Sequence, residues 1–197
     1  MSVKLGLTGS IGMGKSTTAG FFRDFGVPVW DADVEVHTLY AAGGGALGAI
    51  GALVPGAVAA GFVDRAVLKA EISKNPALLA GIEGALKPLL AQSRADFCRK
   101  HSDKPLVLFD IPLLFETDAE SWLDYVLVVT APEEVQKARV LDRETMDEDL
   151  FNTIIARQMP DKEKRALADF VFDTSIGKAH TKADVVALID KLEAKNA

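Results

Sequence analysis

A single cysteine, Cys98, occurs in the sequence, which excludes an internal disulfide and any thiolate metal cluster and fits a reducing compartment. An excess of basic charge is also missing. The formal net charge is −6, from 28 acidic and 22 basic side chains, so no long-range attraction to nucleic acid or to an anionic membrane is expected. A polyanionic ligand would have to be held by local basic groups and backbone N–H donors. The opening residues, Met1 to Leu5, lead directly into an apolar run and then glycines. They lack the long apolar core and small-residue cleavage site of a signal peptide, and a cytoplasmic location is the expectation. No Asp is followed by Gly three positions later, so the usual GTPase switch sequence is absent. His37, His101 and His180 are too widely spaced to suggest a ligand cluster.

Charge is absent from one long stretch, Leu39 to Val63, which is long enough to span a bilayer. Gly44 and Gly48 within it have the spacing of transmembrane helix dimers. The stretch also carries seven glycines and Pro55, and its large apolar residues are few and scattered. On hydropathy grounds it reads as a Gly/Ala-rich loop with short helices, not as a membrane span. The whole chain has 197 residues, 49% hydrophobic and 25% charged, enough for one compact soluble domain with a small inserted lobe and no need of a crosslink.

Apolar runs and breakers give an alternating order of elements. Val3 to Leu7 reads as a strand that ends in a glycine loop, with a helix from Lys15 that stops at Gly26. Val27 to Trp30 reads as a second strand ending at Asp31-Ala32-Asp33, followed by a short helix to Tyr40. Asp64 is placed to cap another helix, and Asn75-Pro76 opens a long one that Pro88 should kink or split. Leu106 to Asp110, Tyr125 to Thr130 and Phe170 to Asp173 complete five strands. Asp147 caps a helix after the fourth strand, and Thr181 with Asp184 forms a capping box for the last helix. Strands apolar on both faces and separated by helices predict an α/β fold, a five-stranded parallel sheet covered on both sides. Cys98 falls late in the long helix as a small core residue.

The most specific motif is Gly9-Ser10-Ile11-Gly12-Met13-Gly14-Lys15-Ser16, a full match to the phosphate-binding P-loop in its required place between strand and helix. Glycines let the backbone curl so that successive N–H groups point at phosphate oxygens, where a side chain would block approach. The following helix adds its positive N-terminal end. Lys15 reaches the β- and γ-phosphates of ATP, and Ser16 can ligate Mg²⁺. In an open parallel sheet ligands gather at the carboxyl ends of the strands. Asp31, Asp33 and Asp110 fall there, and Leu106 to Asp110 reads as a Walker B strand whose acid supports the metal. Carboxylates past a strand also cap helices, so Asp31 and Asp33 carry both readings. Arg139 and Arg143 are four apart on a predicted helix and share one face, with Arg157 on the next. They would neutralise charge on a transferred phosphoryl group, or pair with Glu133, Asp142 and Glu144 on the surface. Asp24-Phe25-Gly26 resembles a protein-kinase magnesium motif but lacks the matching catalytic loop, so it is a helix end.

With these residues in view, the chain resembles the dephospho-CoA kinase family over nearly its whole length. The resemblance is carried by Leu7 to Thr17, Asp31-Ala32-Asp33, and Pro112-Leu113-Leu114-Phe115-Glu116 after Asp110. Gln136, Arg139, Arg143, Arg157-Gln158 and Ala168-Asp169-Phe170-Val171 complete it. It implies a P-loop core of residues 1–33, 104–135 and 161–197, a helical substrate lobe of 34–103 and a lid of 136–160. Gly9, Gly12, Met13, Gly14, Lys15, Ser16 and Thr17 would hold ATP, with Ser16 and Asp110 at Mg²⁺. Asp33 matches the family's catalytic acid, and Lys15, Arg139 and Arg143 would stabilise the transferred charge. The substrates implied are ATP and dephospho-CoA, phosphorylated at its ribose 3′-hydroxyl to give CoA and ADP. The chain departs from the family pattern at Lys87-Pro88, where His-Pro is common, and at Asp173-Thr174, where Asn is frequent. A nucleoside or nucleotide kinase would share the same core, and a regulatory nucleotide switch is disfavoured by the missing GTPase motifs.

Overall fold

The computed structural model describes residues 2–196. The chain runs β1 (Val3–Thr8), α1 (Lys15–Asp24), β2 (Val29–Asp31), α2 (Ala32–Tyr40), α3 (Leu47–Leu53), β3 (Val58–Ala59), β4 (Phe62–Val63), α4 (Arg65–Lys74) and α5 (Leu78–Lys100). It continues with β5 (Leu106–Asp110), β6 (Tyr125–Thr130), α6 (Glu133–Leu141), α7 (Glu148–Ile155), α8 (Asp161–Leu167), β7 (Phe170–Asp173) and α9 (Lys178–Asn196). Two compact units result. One holds the chain up to Trp30 and everything from His101 on; the other is Asp31–Lys100.

The first unit is built on a five-stranded parallel sheet in the order β2-β5-β1-β6-β7. Its central strand places Leu5 opposite Leu108 on one side and Tyr125 on the other. That register puts Leu5, Leu7, Leu106, Leu108, Leu127 and Val129 on one face, against Phe22 of α1 and Val185, Leu188 and Leu192 of α9. Gly6 points to the opposite face, where a Cβ would come within 2.4 Å of the Leu123 side chain. Phe109 on that face meets Trp122 edge-on, with ring centroids 4.9 Å apart. Both faces are therefore dry, which explains strands with no polar alternation. Helix α1 closes as its sequence predicts: Gly26 has φ +80°, and the N–H of Val27 reaches back to the Phe22 carbonyl at 3.0 Å.

The second unit has its own core of Tyr40, Ile50, Val54, Val63, Leu68, Ile82 and Leu86. Asp31 caps α2 and Asp64 caps α4, each accepting from two backbone N–H groups. The charge-free stretch folds here as α3, a 3-10 turn at Pro55–Ala57 and the β3–β4 hairpin, which its sequence does not announce. No helix among the described residues is long and apolar enough to cross a membrane.

Several boundaries differ from the sequence expectation. Pro88 lies inside α5, which runs through it unsplit; the hydrogen bond its missing N–H forgoes is the one to the Gly84 carbonyl. Helix α9 begins at Lys178, so Thr181 is no cap; it sits a turn inside and its hydroxyl donates to the Gly177 carbonyl at 3.2 Å. Helix α8 was not foreseen, although Pro160 followed by Asp161 and Glu163 is a fair start signal.

The Gly44 and Gly48 pair is explained within this unit. A Cβ on Gly44 would lie 2.2 Å from the Leu39 carbonyl oxygen, whereas Gly48, on α3, faces open space. Gly44→Ala should cost about 1–3 kcal/mol through overpacking, and Gly48→Ala should stabilise by about 0.5–1 kcal/mol. Urea unfolding checks both signs, and equal effects would count against this packing.

Candidate active site

The loop after β1 is shaped by close approach and by handedness. A Cβ on Gly9 would stand 2.6 Å from the Val129 carbonyl oxygen. Gly12 and Gly14 have φ of +79° and +88°, a region that side-chain-bearing residues rarely adopt. Left-handed residues between right-handed ones turn neighbouring N–H groups into one concavity. Helix α1 starts at Lys15, and its first amides have no intrahelical acceptor. Ser16 and Thr17 are exposed in that first turn. The Met13 side chain is buried in the core, so its contribution to the loop is its backbone.

The Lys15 ammonium lies 2.5 Å from the Asp110 carboxylate, with the two side chains 16% and 3% exposed. Asp110 ends β5, directly beside Leu7 of β1. A carboxylate this dry needs a partner, because desolvation of an unpaired ion costs several kcal/mol. The pair keeps a cation and an acid at the mouth of the loop, where a triphosphate with its metal would present the matching charges.

The loop's outer side is gripped by residues far away in sequence. The Gln158 side-chain oxygen accepts from the Ile11 N–H at 3.1 Å, and the Gln136 amide donates to the Ile11 carbonyl at 2.7 Å. The Arg139 guanidinium makes a longer contact of 3.4 Å to the Gly12 carbonyl and bonds Thr174 twice, at 2.9 Å to the hydroxyl and 2.8 Å to the carbonyl. The Thr174 hydroxyl in turn lies 2.9 Å from the Met13 carbonyl. Thr174 is thus a hub that neither motif nor periodicity indicated. Arg139 and Arg143 do not share a helix face. Helix α6 ends at Leu141 with Asp142 as its cap, so Arg143 lies beyond it and is exposed, while Arg139 is half-buried against the loop. Arg157 is also exposed, just past α7.

Beside this collar lies a buried charge pair. Lys164 of α8 is 0% exposed and pairs with Glu116 at 2.8 Å. Glu116 also accepts from the Met159 N–H at 2.7 Å. Burial pushes the Glu116 carboxyl up, but the bond from Lys164, the Met159 amide and the nearby positive charge together hold it below its ordinary value. Asp161, at the start of α8, accepts from the Thr130 hydroxyl at 2.8 Å. Asp173 is held low by the Ser175 hydroxyl and amide. In the other unit, one Asp31 oxygen accepts from the N–H groups of Asp33 and Val34, at 3.0 and 3.2 Å. Asp33 is exposed in the first turn of α2, two residues past the end of β2.

Parallel strands, a glycine loop entering a helix and its lysine resting on the next strand's acid are the marks of a P-loop kinase. Solved structures agree on the fold: a shikimate kinase from Bacteroides thetaiotaomicron superposes with a TM-score of 0.51 at 17% identity over 97% of this chain and 98% of its own. The chain belongs to the dephospho-CoA kinase family, whose model matches residues 3–179. The dephospho-CoA kinase of Jannaschia sp. is 54% identical over 98% of each chain, and that of Cereibacter sphaeroides 52% over 94% of this chain and 93% of its own. The Thermus thermophilus protein TT1252 superposes with a TM-score of 0.85 at 30% identity, covering 97% of this chain and 98% of its own.

The Lys164–Glu116 pair yields a stability test. Lys164→Met should cost about 3 kcal/mol, because it strands a mostly buried carboxylate, and adding Glu116→Gln should restore most of that loss. The depressed Glu116 value means the pair's contribution is full above the ordinary carboxylate range and fades as pH falls through the depressed value. The stability gap between wild type and Lys164→Met should therefore narrow on acidification. A gap independent of pH in urea titrations would count against the pair.

Proposed function

We propose that the chain phosphorylates dephospho-CoA with ATP at the ribose 3′-hydroxyl, giving CoA and ADP as the last step of coenzyme A synthesis in the cytoplasm. The observation that carries the proposal is the Lys15–Asp110 pair at the mouth of a formed P-loop, in a chain of this family. Gly9, Gly12, Met13 and Gly14 supply the backbone cradle, and Lys15, Ser16 and Thr17 the helix start above it. Hydroxyl and carboxylate oxygens are the hard donors that Mg²⁺ takes, and it binds through one or two carboxylates together with substrate phosphates. Ser16 and Asp110 fit that description and would hold it. Bound there, Mg²⁺ neutralises charge on the β- and γ-phosphates.

Lys15 leaves Asp110 for the phosphates when ATP arrives, since the triphosphate is the stronger anion. Arg139 already stands at the loop, with N–H donors left over from its three bonds, and Arg143 adds charge from the lid of 136–160. The unit Asp31–Lys100 supports a substrate lobe at 34–103. Asp33 is the base: one oxygen of its neighbour Asp31 caps α2, and Asp110, once Lys15 has left it, is assigned to the metal. A ribose hydroxyl is a poor nucleophile at neutral pH, so a carboxylate that accepts or orients its proton raises the rate.

Lys15→Ala should bind ATP weakly and lose turnover while keeping its fold; normal turnover would remove the loop from the mechanism. Asp33→Asn should keep ATP binding and lower kcat by roughly 10² to 10⁴. Single-turnover phosphorylation of dephospho-CoA by Asp33→Asn and Asp31→Asn decides the base. A dead Asp31→Asn beside a near-normal Asp33→Asn would move it two residues.

A further inference from the structure

One residue of the P-loop, Ile11, is held through both of its backbone groups by the two ends of a single segment. Gln136, where the lid segment begins, donates to the Ile11 carbonyl; Gln158, near its end, accepts from the Ile11 N–H. The polarity of each contact is fixed by the backbone, because the N–H can only donate and the carbonyl can only accept. Gln136 is 5% exposed. Its main chain is as close as its side chain: a Cβ on Gly12 would meet the Gln136 carbonyl oxygen at 3.0 Å. Gln158 is fixed in turn by its neighbour, since the Met159 N–H donates to Glu116, the partner of buried Lys164.

We infer that Gln136 and Gln158 are positioning residues for the ATP phosphates, a clamp that sets the orientation of the two peptides meeting at Ile11, Gln158 fixing Ser10–Ile11 and Gln136 fixing Ile11–Gly12, and with it the inward aim of the amides that follow. The clamp rests on the reading of this loop as an ATP site. A glycine loop is intrinsically free to flip its peptides, and a flipped carbonyl would face phosphate with the wrong charge. The clamp holds the Ile11 carbonyl outward, and Arg139 and Thr174 do the same for Gly12 and Met13. The Ile11 amide itself is committed to Gln158 and the Met13 N–H donates to the Ser10 carbonyl at 3.2 Å, so phosphate is left to the other later amides of the loop and the start of α1. Because Ile11 is pinned from each end of residues 136–160, that segment can move over the phosphates while its attachment points stay with the loop.

The test uses the full chain with Gln136→Met, Gln158→Met and Gln158→Glu, each checked by thermal unfolding. Calorimetric ATP titration without acceptor should show each Met variant binding about 3- to 10-fold more weakly, the scale of one lost hydrogen bond. The KM for dephospho-CoA should stay within about 2-fold of wild type, since the loop acts on ATP alone. Hydrogen exchange of the Ile11 amide should quicken in Gln158→Met and remain slow in Gln158→Glu, which keeps an acceptor. ATP affinity within about 2-fold of wild type in the folded Met variants overturns the clamp, as do equal losses for both substrates, which would indicate general damage. An Ile11 amide as well protected in Gln158→Met as in wild type overturns it too. If buried Gln136 proves necessary for folding, the half-exposed Gln158 carries the test alone. A chain that follows the ATP expectations yet never phosphorylates dephospho-CoA overturns the substrate reading and leaves the clamp supported.

Discussion

A loop that binds phosphate through its own amides must turn the matching carbonyls away and give each an acceptable environment. In this chain the requirement reaches well beyond the loop. The Ile11 carbonyl is met by Gln136, Gly12 by Arg139 and Met13 by Thr174, residues drawn from α6 and from the end of β7. The sheet enforces the rest of the geometry. Gly9 is packed against the Val129 carbonyl and Gly12 against Val140, so the strand β6 and helix α6 that follow one another in sequence form two walls of the same loop. Glycine is needed at these points because neighbouring backbone lies where a Cβ would be, and at Gly12 and Gly14 also because of the sign of φ.

Charge is handled by the same economy of position. Asp110 is buried at the end of a strand flanked by apolar neighbours, and Lys15 compensates it at 2.5 Å. Under the proposed function the interaction would have two uses, the cation serving the phosphates and the acid a metal. Lys164 and Glu116 form another buried pair, but theirs is structural: it ties helix α8 to the segment after β5 and, through the Met159 amide, to the loop between α7 and α8. Pairs of this kind add little net stability over an apolar alternative. They fix a geometry, and here the geometry fixed is that of Gln158 beside the loop.

Much of this could be read from the residues. The loop motif, the five apolar strands, the caps at Asp64 and Asp147 and the glycine stop at Gly26 are local features, written within a few residues of where they act. Asp31 showed the limit of that kind of reading, because a carboxylate past a strand has two chemistries and the sequence holds both open. In the structure one of its oxygens caps α2. Arg139 and Arg143 showed another limit: a spacing of four implies a shared face only if the helix continues, and α6 stops between them.

What the sequence by itself determined, then, was the set of elements, the phosphate loop and the family's ordered motifs, because these depend on periodicity, glycine handedness and short-range hydrogen bonding. Tertiary structure alone decided which distant side chains close around Ile11, that Thr174 joins two strands to the loop, and that a lysine in a highly charged helix is fully buried. Sequence separations of 125 to 161 residues divide these partners from the loop. No local rule spans that distance; only the register of a packed sheet brings such residues within hydrogen-bond reach.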